Sequence, residues 1–146
     1  MRLTKGVRYA LRMMLDIAKH GEADKPVTLH QVARNTSMPR RYLEQLVIPL
    51  KKACLLKGTT GRGGGYTLTR RTSEIKIGEI VEVMAGPIHI VECIGDPESC
   101  MLSDVCKCRP LYSLINRRIA DVLYEYSLAD MLDEGWSSNV KTVLPT

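Results

Sequence analysis

The stretch from Thr28 to Thr69 constrains the fold of this chain more than any other part of it. Thr28 and Gln31 are spaced as a capping box, and Val27 can staple onto Val32 across the first turn, so a short helix starts here and ends near Asn35 to Ser37. Pro39 then stands where a first-turn proline is tolerated, and Leu43, Leu46, Leu50 and Ala53 recur as the buried stripe of a following helix. The other face of that helix carries Arg40, Arg41, Glu44 and Gln45, and Pro49 is expected to kink or end it. Two short helices joined by a tight turn, the second with base-reading side chains near its N-terminus, meet the requirements of a helix-turn-helix.

Two short strands come next. Leu55-Leu56-Lys57-Gly58 and Tyr66-Thr67-Leu68-Thr69 are joined by Thr59-Thr60-Gly61-Arg62-Gly63-Gly64-Gly65, a hairpin whose glycines permit a close-approaching tip. Such a hairpin is a wing. A cationic loop with little side-chain bulk can enter a minor groove and place Arg62 in its negative potential. The glycines are a poor match to a phosphate cradle, because no G-K-[ST] follows and the context is not strand-loop-helix.

The flanks are helical. From Thr4 to about His20, Val7, Ala10, Leu11, Met14, Ile17 and Ala18 recur at helical spacing up to Gly21, and Ile77, Ile80, Val81 and Met84 mark a short helix stopped by Gly86-Pro87. From Arg109 to about Leu132, Tyr112, Ile115, Ile119, Val122, Tyr126 and Ala129 follow at spacings of 3, 4, 3, 4 and 3, the pattern of a helix-helix seam. Leu111, Leu114 and Leu123 add a second stripe, so one face can pack on the chain's own domain while the seam meets a second copy. The expected fold is mainly α with a small β-wing. It comprises a winged helix-turn-helix domain over residues 1–86, a cysteine-rich loop over 87–108, a long C-terminal dimerisation helix over 109–133, and a tail over 134–146 with Trp136 as a packing anchor.

Charge divides the chain in two. Residues 1–71 carry 15 Lys or Arg against 4 Asp or Glu, whereas residues 72–146 carry 6 against 12. A basic first half fits a polyanion-binding module, here double-stranded DNA. With 146 residues the chain can bury a core without disulfide support. No segment approaches the roughly 18 consecutive apolar residues of a membrane span, so the expectation is a cytoplasmic protein with no membrane partner and reduced cysteines.

Four of the five cysteines crowd into Cys93 to Cys108, as C-x6-C-x5-C-x-C. Cys54, between Ala53 and Leu55, reads as a small core residue. Thiolates at this density fit an iron-sulfur cluster, zinc or copper(I), or a metal-free switch in which Cys106 and Cys108 pair on oxidation. Paired C-x2-C elements of the usual zinc site are missing. His89 is a further nitrogen donor four residues before Cys93, although a lone histidine beside an apolar stretch is more often structural. No flavin or dinucleotide motif appears and no acid/base pair adjoins the cysteines, so the chain does not read as an enzyme. The alternative from another class is an iron-sulfur or zinc-binding redox or adaptor protein that does not act on DNA.

The opening Met1-Arg2-Leu3-Thr4-Lys5-Gly6-Val7-Arg8-Tyr9-Ala10, the segment Tyr42-Leu43-Glu44-Gln45-Leu46, the wing Gly63-Gly64-Gly65-Tyr66 and the cysteine loop together resemble the IscR/NsrR-type family of bacterial winged-helix regulators. The resemblance covers nearly the whole chain. It implies a homodimeric transcription factor that senses iron-sulfur status, nitric oxide or redox state through a 2Fe-2S or 4Fe-4S cluster. Cys93, Cys100 and Cys106 match the cluster cysteines of that family, and Glu44 falls on its base-discriminating position. Two positions depart from it. Arg109 stands where the 2Fe-2S branch has a histidine, and Arg8 where the nitric-oxide branch has an acidic residue; Cys108 is the leading substitute as fourth ligand, with an exogenous or partner-chain ligand next. The expected DNA contacts are Arg40, Arg41, Glu44 and Gln45 in the major groove, Arg62 in the minor groove, Arg2, Lys5 and Tyr42 on phosphates, and Thr28 at the start of the second helix.

Overall fold

The computed structural model describes residues 3–144. Ten regular elements follow in order: α1 Lys5–His20, α2 Leu29–Thr36, α3 Arg40–Lys52, β1 Leu56–Thr59, β2 Gly65–Leu68, α4 Ile77–Ala85, α5 Glu92–Gly95, α6 Arg109–Glu125, α7 Leu128–Leu132 and α8 Trp136–Val143. The N-terminal helices start as their sequences require. Thr4 caps α1 by accepting from the Val7 N–H at 3.3 Å. At α2 the capping box is complete, with Thr28 Oγ1 accepting from Gln31 N–H at 3.2 Å and Gln31 Oε1 accepting from Thr28 N–H at 2.8 Å. Ser37 takes a left-handed backbone at φ 55° to turn the chain, and Pro39 is the N-cap of α3, one position ahead of the first turn.

Two details at the C-terminal end of α3 depart from expectation: Pro49 does not end the helix, which runs on to Lys52, and Ala53 is not buried but exposed at its C-cap. Cys54 is also exposed, at φ 57°. The cause is a Schellman closure in which Cys54 N–H bonds to Lys51 O at 3.0 Å and Leu55 N–H to Leu50 O at 2.9 Å. Cys54 occupies the left-handed position where glycine is usual, so it points outward while Leu50 and Leu55 bury together.

β1 and β2 pair antiparallel with Leu56 opposite Leu68 and Thr59 opposite Gly65. Val27 adds a third row beside Tyr66 through reciprocal backbone bonds of 2.9 and 2.8 Å, which fastens the start of α2 to the wing. Gly65 makes this approach possible, since at φ 155° a side-chain carbon would lie 2.6 Å from the Val27 carbonyl oxygen. A single core gathers Val7, Met13, Met14 and Ile17 of α1, Leu43, Leu46, Val47 and Leu50 of α3, and Ile80 and Val81 of α4. Arg70, just after β2, closes onto Glu79 of α4 at 2.6 Å. Burial alone would raise the Glu79 carboxyl, but the Arg70 bond, the bond from the Lys76 N–H and the Arg70 charge together outweigh it and hold the pKa below the usual range.

The long helix expected from Arg109 to Leu132 is two helices. At Tyr126 the backbone turns extended (φ −93°, ψ 147°), and its carbonyl accepts from Ile77 N–H at 3.0 Å while Leu128 N–H donates to Ile75 O at 3.1 Å. Ser127 then starts α7 with a capping box to Asp130. That hydroxyl, followed by the Ser127 N–H, holds the Asp130 carboxyl below its ordinary range. Leu128 is fully buried on α1 side chains as a result. The tail is helical over Trp136–Val143, and Trp136 does anchor it, edge-on to Tyr126 with centroids 4.9 Å apart.

Candidate nucleic-acid interface and cysteine loop

Leu43, Leu46, Val47 and Leu50 point α3 inward, so Arg40, Arg41, Glu44 and Gln45 stand exposed on its other side. Arg40 Nε donates to Glu44 Oε1 at 3.2 Å, a solvated pair one turn apart. Between this face and the wing lies a cleft of about 480 Å³ lined by Thr28, Arg40, Glu44, Lys51, Gly58 and Tyr66. Thr28 therefore joins the α3 side chains on one wall. Arg62 is exposed at the wing tip between Gly61 (φ 91°) and Gly63 (φ 76°), two glycines with open space around them. Arg2 lies outside the described residues.

Lys5 and Tyr42 are brought together by a contact the sequence did not disclose. Tyr9 of α1 and Tyr42 of α3 meet edge to face at 5.4 Å, and the Lys5 ammonium lies 5.2 and 5.4 Å from their two ring centres. A cation over aromatic faces is held where a flexible lysine would otherwise roam. Arg12 completes the cluster, 5.8 Å from the Tyr9 ring. Periodicity hides such a pair because Tyr9 and Tyr42 belong to different helices.

The segment before α6 is not shapeless. Cys93 lies on the single turn α5, a 3-10 turn follows at Pro97–Ser99, and Cys108 is the N-cap of α6. Asn116, one of the residues the sequence reading passed over, accepts from Ile90 N–H at 2.9 Å and ties this segment to α6. The His89 ring fills the space where a side chain on Gly95 would stand, with ring atoms 2.0 to 2.9 Å from that point. All five cysteines are free thiols. Cys93, Cys100 and Cys106 are half-buried and Cys108 is exposed.

Tyr112 reports which thiols share a neighbourhood. Its phenol is raised above the ordinary range by the charge of Cys108 first, then by a hydrogen bond to Cys108, by burial, and by Cys106 and Cys93. Cys100 is not among these neighbours. Such charge effects reach further than a metal-ligand bond, and among the described residues no three His, Cys, Asp or Glu side chains are gathered as a metal site. The donor set still suits a thiophilic group: three half-buried soft thiols with a fourth beside them. Arg109, in the place of an expected ligand, has a buried Nε with no hydrogen-bond partner.

α6 sorts its apolar residues differently from the expected seam. Ile119, Ala120 and Leu123 pack on the core, Tyr112 faces the thiols, and Tyr126 meets Trp136. Leu111, Leu114, Ile115 and Val122 are exposed by 56, 53, 40 and 53%. Ile115 and Val122 are thus the only members of the expected seam left strongly exposed on α6, and two residues of the supposed second stripe stand beside them.

Residues 3–134 match the family model described as Rrf2, iron-dependent transcriptional regulator. The chain belongs to the Rrf2 family. It is 38% identical over 129 residues to the HTH-type transcriptional regulator CymR of Bacillus subtilis, covering 88% of this chain and 86% of that protein. It is 34% identical over 140 residues to the HTH-type transcriptional regulator IscR of Pectobacterium atrosepticum, covering 96% of this chain and 84% of that one. The solved structure of CymR, described as the global cysteine regulator of B. subtilis, superposes with a TM-score of 0.75 at 32% identity over 90% of this chain and 96% of its own. Rrf2 proteins are DNA-binding transcriptional regulators and not enzymes, which sets aside an adaptor or redox protein that never meets DNA. The winged helix-turn-helix described above is the Rrf2 fold. Among the described residues no helix is long and apolar enough to cross a membrane.

Proposed function

We propose that this Rrf2 regulator acts as a homodimer whose hold on an operator is set by an iron-sulfur cluster in the Cys93–Cys108 segment. The observation that carries the reading is that Cys93, Cys106 and Cys108 neighbour Tyr112 in the first turn of α6, the helix that also presents an uncovered apolar stripe. In this reading Arg40, Arg41, Glu44 and Gln45 enter the major groove, Arg62 enters the minor groove, and Arg2, Lys5 and Tyr42 contact phosphates, with Thr28 at the edge of the cleft. Two copies joined through Leu111, Leu114, Ile115 and Val122 would present two reading heads to two half-sites.

Cys93, Cys100 and Cys106 would hold the cluster, and Cys108 is the fourth donor closest in sequence. Bound there, the cluster would supply a redox-active, oxidant-labile centre. The protein's own part is to hold the thiols against α6 through Asn116 and the His89–Gly95 contact, so that a change in the segment is felt at the dimer helix. A second reading is favoured by two observations, that no metal site is gathered among the described residues and that Cys106 and Cys108 both neighbour Tyr112. These two thiols would pair as a disulfide, giving up two electrons and two protons to a cellular oxidant, with no metal involved.

Anaerobic purification followed by a visible spectrum and iron and sulfide assays separates the two. Alanine at Cys93, Cys100 or Cys106 is expected to abolish the cluster absorption, and Cys108→Ala to weaken it. Stoichiometric zinc without sulfide, or no metal together with a reversible Cys106–Cys108 disulfide, overturns the cluster reading.

A further inference from the structure

α3 carries one large exposed apolar side chain that neither the core nor the expected set of DNA contacts accounts for. Ile48 is 68% exposed and joins neither the buried cluster nor its half-buried fringe. At about 100° per residue, the buried residues Leu43, Leu46, Val47 and Leu50 centre on one side of the helix, and Ile48 falls close to the midline of the other. Its neighbours there are Arg41, Glu44, Gln45 and Lys52, all exposed. A β-branched apolar residue in the middle of a charged, outward face has nothing of its own chain to bury against. On a monomer surface a single exposed isoleucine is unremarkable, but this face is the one that meets a duplex.

Base edges in the major groove offer hydrogen-bond donors and acceptors and one apolar group, the C5 methyl of thymine. Ile48 lies one turn beyond Glu44 and three residues beyond Gln45, on the same side. That is about 6 Å further along the helix axis, or roughly two base-pair steps at about 3.4 Å each. We propose that Ile48 is a specificity-determining residue that reads a thymine methyl about two base pairs from the base that Glu44 reads. This rests on the proposed use of α3 as the recognition helix. It adds an apolar contact to a set otherwise made of charges and amides. Desolvating one methyl against Ile48 is worth about a fourfold change in affinity per half-site, or about fifteenfold for a dimer on a symmetric site.

The test uses the full chain and a duplex selected from a random library by that chain. Each thymine in turn is replaced by deoxyuridine, which removes only the C5 methyl. The expected result is one symmetric pair of positions where the replacement weakens wild-type binding about fifteenfold. Ile48→Ala should weaken binding to the thymine duplex by a similar factor and lose nothing further on the deoxyuridine duplex. Ile48 is exposed, so the variant is expected to keep the wild-type circular dichroism and sedimentation. Changes below twofold at every thymine, or losses that multiply when variant and deoxyuridine are combined, overturn the proposal while leaving α3 as a DNA-reading helix. Dissociation of Ile48→Ala into monomers would make Ile48 a subunit contact. If no duplex is enriched at all, the recognition-helix reading fails with it.

Discussion

Tyr124 of α6 donates its phenolic hydrogen to a carboxylate oxygen of Glu82 on α4 across 2.5 Å. The helix that carries the uncovered stripe is thereby tied to the helix that backs the DNA-reading domain. The Glu82 bond first, then burial and the negative charges of Glu82 and Glu79, push the Tyr124 pKa up to about 12.

The pH dependence of that bond follows from the sign of the shift. A phenol raised in the folded state lends stability that is present below the unfolded value of about 10 and is lost as pH rises towards the folded value. Tyr124→Phe removes the term, at a cost of about 1 kcal/mol or less at neutral pH because the pair is solvated. Urea unfolding of both proteins from pH 8 to 12 should show their stabilities converging above pH 10. A gap that stays constant over that range would mean the bond contributes nothing.

Gly78 lies against the face of the Tyr124 ring, where an added side-chain carbon would meet ring atoms at 2.5 to 2.8 Å. Gly78 stands in the first turn of α4, where replacing glycine by alanine normally gains up to about 1 kcal/mol. Here overpacking is expected to win, at about 1–3 kcal/mol. Gly78→Ala should lower Tm by several degrees, and the same change in a Tyr124→Ala background should raise it. A rise in both backgrounds would show that the ring simply swings aside.

Val122→Asp should give folded monomers in sedimentation, because it sets a charge in the exposed stripe. Ile119→Asp should instead destabilise the fold without a selective loss of the dimer, because it sets an unpaired carboxylate at a half-buried position against the core. A Val122→Asp protein that sediments with the wild type would move the subunit interface off this stripe.

DNA affinity should fall by orders of magnitude from low to physiological salt, with the slope reporting the number of phosphates neutralised. Arg62→Ala should weaken binding to duplexes with A·T-rich flanks and leave the salt slope nearly intact. A loss that is uniform across sequences, with the slope shallower by about 1, would make Arg62 a phosphate contact instead.

Local signals in the sequence were enough for the reading domain. The Thr28–Gln31 box, the α3 stripe and the glycine hairpin are each completed within a few residues by chain geometry, so periodicity and caps locate them. The charge imbalance between the two halves likewise needs no coordinates. What failed were features decided by partners far along the chain. The helix after Arg109 is periodic through Leu132, yet it breaks at Tyr126 because backbone groups of Ile75 and Ile77 compete for its hydrogen bonds.

The same holds for the face of α6 that stays uncovered. Its sequence is apolar on several sides, and only the packing of Ile119 and Leu123 on the core determines that Leu111, Leu114, Ile115 and Val122 remain outside. Cys54 is the exception, a local miss: it read as a core residue by its apolar neighbours and became an exposed left-handed cap because the closure of α3 onto Leu50 and Lys51 needs one at that position. The Tyr9–Tyr42 contact that positions Lys5 joins helices 33 residues apart. The sequence by itself thus determined the winged reading head, where each signal is local. The tertiary structure alone decided which helix faces stay open and which thiols share a neighbourhood, because those depend on contacts between segments that no short-range pattern records.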